Sequence, residues 1–178
     1  MSNVIPEAAR IPEPLYQQIA GLVPIPCVDL VIVRRGEREP ELLLIKRAIP
    51  PEKDKWCIVG GRVIGGRDVQ PERLSGAIRR QADRELGIEV SVLPPWDEHH
   101  PLIVFDDPDC DPAKYPIVMV YPVEVVRGNI RTGPESSEVR WCPYGLLPDV
   151  MGFTHRQEVE AVMSALARRG WPAAATKP

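Results

Sequence analysis

The stretch that decides the fold is GGRVIGGRDVQPERLSGAIRRQADRELGIEV, Gly60 to Val90. Two glycine pairs, Gly60-Gly61 and Gly65-Gly66, follow the strand-like run WCIV and lead through Pro71 into a basic segment that stops at Gly87. Proline suits the first turn of a helix and glycine the position just past its end, so the punctuation predicts strand, glycine loop and a helix over 71–86.

Outward from this unit the chain alternates between the two periodicities. On the N-terminal side, PLYQQIAGLV (14–23) places Leu15, Ile19 and Leu22 on one helical face, ending at Pro24. CVDLVIVRR and ELLLIKR, joined by GEREP, read as a β-hairpin. On the C-terminal side, EVSVL, PLIVFDD, YPIVMVYPVEVV and EVRWC are rich in β-branched or aromatic residues and predict most of the sheet. A last helix is expected over THRQEVEAVMSALARRG, with Thr154 and Gln157 at capping-box spacing and Gly170 as its stop. Helices before, within and after a set of strands predict an α+β domain, a mixed sheet sandwiched between helices.

A chain of 178 residues with 44% hydrophobic and 26% charged residues suits one domain over 1–178, with 1–13 as an extended arm and 171–178 as a tail. The net charge of −3 gives no basic field, so nucleic acid is not the expected partner. Cys27, Cys57, Cys110 and Cys142 form no CxxC pair, which predicts reduced thiols over a zinc or disulfide framework. Neither a secretory leader nor an apolar run of ~20 residues is legible, so the expected location is the cytoplasm, without a membrane span.

Gly66, five residues, Glu72, seven residues and then Arg80-Gln81-Ala82-Asp83-Arg84-Glu85-Leu86-Gly87-Ile88 resembles the Nudix box, whose usual form is G, five residues, E, seven residues, REUxEExGU with U aliphatic. The resemblance implies a Nudix fold. Positions 81, 84 and 85 share one helical face, where the family places carboxylates that hold divalent metal beside a diphosphate. Here Gln81 and Arg84 replace two of them and Glu85 remains. The same pair of losses resembles the GDP-mannose mannosyl hydrolase branch, and the likeness runs from about Pro14 to Trp141. It implies a Mg²⁺-dependent hydrolase of a nucleotide sugar, working as a homodimer through its N-terminal segment. It also implies Gly60 (by its carbonyl), Glu85 and Glu135 as metal ligands, Arg47 and Arg62 on the diphosphate, and Asp29 on the substrate.

Several of these residues stand out by their own chemistry. Arg62 follows a glycine pair at a strand end, where backbone can approach a phosphate and a guanidinium can grip it bidentately. Arg47 closes the apolar strand ELLLI, and Asp29 interrupts another, where a carboxylate is costly unless it is paired or used. The branch's water-activating histidine falls on Ser136, whose hydroxyl cannot act as a base near neutral pH. The remaining candidates are Glu135, Glu138, His99, His100 and His155. Attack on phosphorus, or a regulatory module that binds a nucleotide without turnover, are the alternative readings.

Overall fold

The computed structural model describes residues 11–65 and 71–171; most of the expected arm, nearly all of the tail, and Gly66 of the box lie outside them. The elements run α1 (Glu13–Ala20), β1 (Ile25–Arg35), β2 (Pro40–Arg47), β3 (Trp56–Cys57), β4 (Val59–Arg62), α2 (Leu74–Leu86), β5 (Ile88–Val92), β6 (Ile103–Phe105), β7 (Pro116–Gly128), β8 (Ser136–Pro143) and α3 (His155–Arg168). The central order is β3-β2-β1-β7-β5, with β4 beside β1, β6 beside β7 and β8 beside β2. β1 and β7 run parallel and the other pairs antiparallel, so the sheet is mixed as expected.

The near-continuous apolar runs of β1 and β2 are explained by burial on both faces. Val31, Val33, Leu42 and Leu44 pack toward α3 with Val159, Val162 and Leu166. Their alternating neighbours Val28, Leu30, Ile32, Leu43 and Ile45 pack toward α2 with Ala77, Ile78, Ala82 and Leu86. The Asp29 side chain therefore shares the α3 face with Val31, while Gln81 and Glu85 approach from the α2 face.

Two expectations are corrected. WCIVGGRV is not one strand. β3 pairs with β2, through Ile45 and Cys57, whereas β4 pairs with β1, through Leu30 and Val59. The chain crosses between these partners at Ile58, whose N–H leaves the ladder and donates to His155 Nδ1 at 3.2 Å. Helix α2 starts at Leu74 and not at Pro71, because Glu72 is held in the preceding loop: its N–H donates to Ile64 O at 3.0 Å and its side chain is used elsewhere. The last helix does stop at Gly170, which has a φ of 69°, but the Thr154 hydroxyl donates to Glu158 instead of capping a backbone amide.

The α3-side core sets the stability of the whole layer. Leu44 is fully buried there, and Leu44→Ala is expected to cost about 2–5 kcal/mol in urea unfolding, with the m-value unchanged.

Candidate active site

The site begins with a lock between loop and helix. Arg80 of α2 donates from Nε to Glu72 Oε2 at 3.0 Å and pairs through Nη2 with Oε1, while Nη2 also reaches the Arg62 carbonyl at 2.9 Å. The Ile64 N–H donates to Glu72 Oε1 at 2.6 Å. This bidentate pair, with Arg80 buried, joins the end of β4 to the start of the helix. It gives the Glu and Arg of the box a structural role.

Gly60 and Gly61 form the next layer. A Cβ at Gly60 would run into Asp29 Oδ1, and one at Gly61, whose φ is 155°, would run into Gln81 Nε2. The strand thus threads between two polar side chains from opposite faces, and only bare backbone fits.

On the α2 face the structure gathers Glu85, Glu135, Arg84 and Arg47. Arg84 Nη2 lies 2.9 Å from Glu135 Oε1 and Arg47 Nη1 3.3 Å from Oε2. The Glu135 N–H approaches Glu85 Oε2 at 3.4 Å. Arg47 is further fixed by donating from Nε to the Pro51 carbonyl at 2.9 Å and by the Phe153 ring, 5.3 Å from its Cζ. Phe153 itself adopts φ 53°, a left-handed conformation that a bulky residue takes only where its surroundings enforce it. The loop before β8 closes over the end of α2 at Gly133, where a Cβ would strike the Glu85 backbone.

Burial, and after it the Glu135 carboxylate, push the Glu85 pKa above the ordinary range, against the opposing pull of Arg84. Glu85 Oε1 and Gln81 Oε1 are buried and make no hydrogen bond among the described residues; Arg84 Nε comes only within 3.4 Å of the former. Two orphaned hard oxygens one helical turn apart, beside a second carboxylate, fit the donor chemistry of a divalent ion such as Mg²⁺.

The expected site residues divide. Glu85, Glu135 and Arg47 come together, and Gly60 lies within β4 opposite Asp29, next to Gly61, whose backbone abuts the Gln81 amide. Arg62, paired in register with Cys27, leaves on the α3 face, where its Cζ lies 4.8 Å from the Tyr16 ring. Asp29 is buried, with Oδ2 3.2 Å from His155 Nε2, so its carboxylate is engaged inside the protein and not offered to a substrate. Ser136 is buried and structural: its Oγ accepts the Gly133 N–H at 2.9 Å, shaping the turn that carries Glu135. His99 and His100 are exposed and their backbone amides are bound by Asp97. His155 is the first residue of α3, just after the N-cap Thr154, and is buried within the sandwich. Sequence reasoning missed Arg84 and Phe153 as members of the site. The position of Arg84 on the helical face was a usable signal; that of Phe153 depends on the packing of a distant loop.

A NUDIX domain model matches residues 24–162. The chain belongs to the Nudix family. Among curated proteins, it is similar to the ADP-ribose pyrophosphatase of Methanocaldococcus jannaschii, 28% identical over 80% of this chain and 75% of that protein. It is also similar to the low-salt glycan biosynthesis protein Agl8 of Haloferax volcanii, 36% identical over 47% of each chain, so the match spans about half of that protein. Among solved structures, the MutT NUDIX hydrolase of Burkholderia pseudomallei aligns with a TM-score of 0.62 and 26% identity over 79% of this chain and 98% of its own. No helix among the described residues is long and apolar enough to cross a membrane.

Glu85 gives a direct test of the site. A carboxyl whose folded pKa is raised contributes its full stability below its unfolded value and loses it as pH rises through the folded value, so near pH 8 the charged form is a cost. Glu85→Gln is expected to melt higher than the parent in EDTA at pH 8 and to lose the upward shift that millimolar Mg²⁺ gives the parent. Paired melting curves with Mg²⁺ and with EDTA check both signs.

Proposed function

We propose that this Nudix protein hydrolyses a nucleoside diphosphate that carries a sugar, with one Mg²⁺ held by Glu85, Glu135 and the Gly60 carbonyl, and cleaves on the sugar side to release the nucleoside diphosphate. The observation that carries the proposal is the buried, hydrogen-bond-free Oε1 of Glu85 beside a second carboxylate and two arginines. When bound, the ion would neutralise diphosphate charge and order the phosphate oxygens.

The chain's own residues supply the rest. Arg47 is immobilised through Nε and Nη1, and its Nη2 makes no hydrogen bond among the described residues, which leaves it for a phosphate oxygen. A guanidinium held in place before the reaction stabilises charge as it develops on the departing diphosphate without reorganising. Arg84 brings positive charge to a position where the family's box carries a carboxylate. With Gln81 and Arg84 in place of acids, that face of the helix offers one carboxylate and lacks the donors for a second ion, which favours departure of an intact diphosphate over attack at phosphorus. Neither Ser136 nor the exposed His99 and His100 takes the branch histidine's place.

Attack at phosphorus is the second reading, supported by the likeness to an ADP-ribose pyrophosphatase over most of both chains. Incubation with GDP-mannose, ADP-ribose and other nucleotide sugars in ¹⁸O-water separates the two. Labelled sugar with unlabelled nucleoside diphosphate is expected, and labelled monophosphate would replace the proposal with ordinary pyrophosphohydrolysis. Saturable binding without products would assign a regulatory module.

The homodimer is proposed to use α1 and the turn after it, which expose Leu15, Leu22 and Val23. Deleting residues 1–23 should halve the mass measured by light scattering; an unchanged mass would remove the dimer contact from this segment.

A further inference from the structure

The α3 face of the sheet carries a buried cluster that the proposed chemistry does not use. Asp29 of β1 and His155 and Glu158 of α3 are all buried, Glu158 completely, and bring ligand-type atoms within 4.8 Å of one another. His155 Nε2 lies 3.2 Å from Asp29 Oδ2, and Nδ1 accepts the Ile58 N–H. Glu158 Oε1 accepts the Thr154 hydroxyl at 2.7 Å, and Oε2 meets no donor among the described residues. The Glu158 and Asp29 carboxyls lie within 4.8 Å of each other.

Counting protons decides what this cluster is. Burial opposes charge on the imidazole; the Asp29 carboxylate pulls its pKa upward, but the Ile58 N–H pointing at Nδ1 leaves no place for a second ring proton. The Ile58 amide fixes the tautomer, because Nδ1 can accept only if it bears no hydrogen. The ring proton therefore sits on Nε2 and is donated to Asp29. A metal ion on Nε2 would need that proton to move to Nδ1, where it would collide with the Ile58 N–H, so these three residues do not form a metal centre in this arrangement. What remains is two carboxyls facing each other in an apolar interior with no donor between them. Such a pair persists only if one of them brings the hydrogen.

We propose that Glu158 is a neutral acid at neutral pH whose proton is donated from Oε2 to Asp29, completing a three-residue latch that fastens the start of α3 to the strand beneath Gly60. Every polar atom is then accounted for: Asp29 accepts from His155 and Glu158, Glu158 accepts from Thr154, and His155 accepts from Ile58. Desolvation and the Asp29 charge raise the Glu158 pKa to about 8, in the same sense. The other titratable groups facing the latch are Cys57 beside His155, and Cys110 beside Thr154 and Glu158. Burial and Asp107 push the Cys110 thiol up to about 11, so it brings no charge near neutrality.

The latch bears on the site through two contacts. Asp29 Oδ1 lies against Gly60, and His155 packs on Phe153, ring centroids 5.1 Å apart, whose other neighbour is the Arg47 guanidinium. Glu158 and His155 are thus positioning residues for Gly60 and Arg47, a consequence that rests on the function proposed above; the proton itself does not.

Glu158→Gln is the test, because the amide has the neutral acid's shape, donates to Asp29 and accepts from Thr154. A raised folded pKa means that wild-type stability falls as pH climbs from the unfolded carboxyl value to the folded one, whereas the amide is indifferent. The logarithm of the unfolding constant should rise with pH more steeply in wild type than in Glu158→Gln, by about one per pH unit between pH 5.5 and 7.5, and the difference should level off above about pH 8. Parallel slopes would overturn the proposal, as would failure of Glu158→Gln to fold at pH 6. Stoichiometric Zn²⁺ or Mn²⁺ that wild type and Glu85→Gln retain and Glu158→Gln loses, measured by mass spectrometry of the metals, would overturn it in favour of a buried metal centre. None of these readouts requires an active enzyme, so a failure of the nucleotide-sugar reading leaves the latch separately decided.

Discussion

The structure depends on the passage of bare backbone at Gly60-Gly61 between two polar side chains, Asp29 from one face of the sheet and Gln81 from the other. A side chain at either position would displace a buried polar group and its partners. Because the backbone passes there, β4 can lie against β1 and the Arg62 carbonyl can meet Arg80. The glycines serve close approach more than turn formation.

Around that passage, charge is arranged so that each buried ion has a partner. Arg80 is matched to Glu72, and Glu135 sits between Arg84 and Arg47. Glu85 is the exception, more buried than Glu135 and less well matched, with an Oε1 that meets no hydrogen-bond donor among the described residues. Arg84 lies beside both Glu85 and Glu135, so part of the positive charge facing these carboxylates is supplied by the chain itself.

The two faces of the sheet divide the work. The α2 face carries the carboxylates and arginines, and the α3 face carries the Asp29 cluster that braces them from behind. They communicate through the chain crossing at Ile58, where a strand that changes partners releases an N–H for His155, and through the Phe153 turn, whose enforced backbone sets a ring against Arg47.

The sequence by itself determined the glycine loop that leads into a helix, the mixed sheet between helices, and the stops at Gly87 and Gly170. These follow from short-range rules of periodicity and turn chemistry and from a motif whose spacing is fixed by one helix. Only the tertiary structure decided the directions of Asp29 and Arg62, which depend on which face of β1 and β4 meets which helix. It alone placed His155 inside the sandwich and turned Ser136 from a vacant base position into the hinge of a turn. The burial of Asp29, His155 and Glu158 together arises from residues about 130 positions apart. No local pattern carries that information, because the cost of burying each polar group is settled only by the partners that folding brings to it.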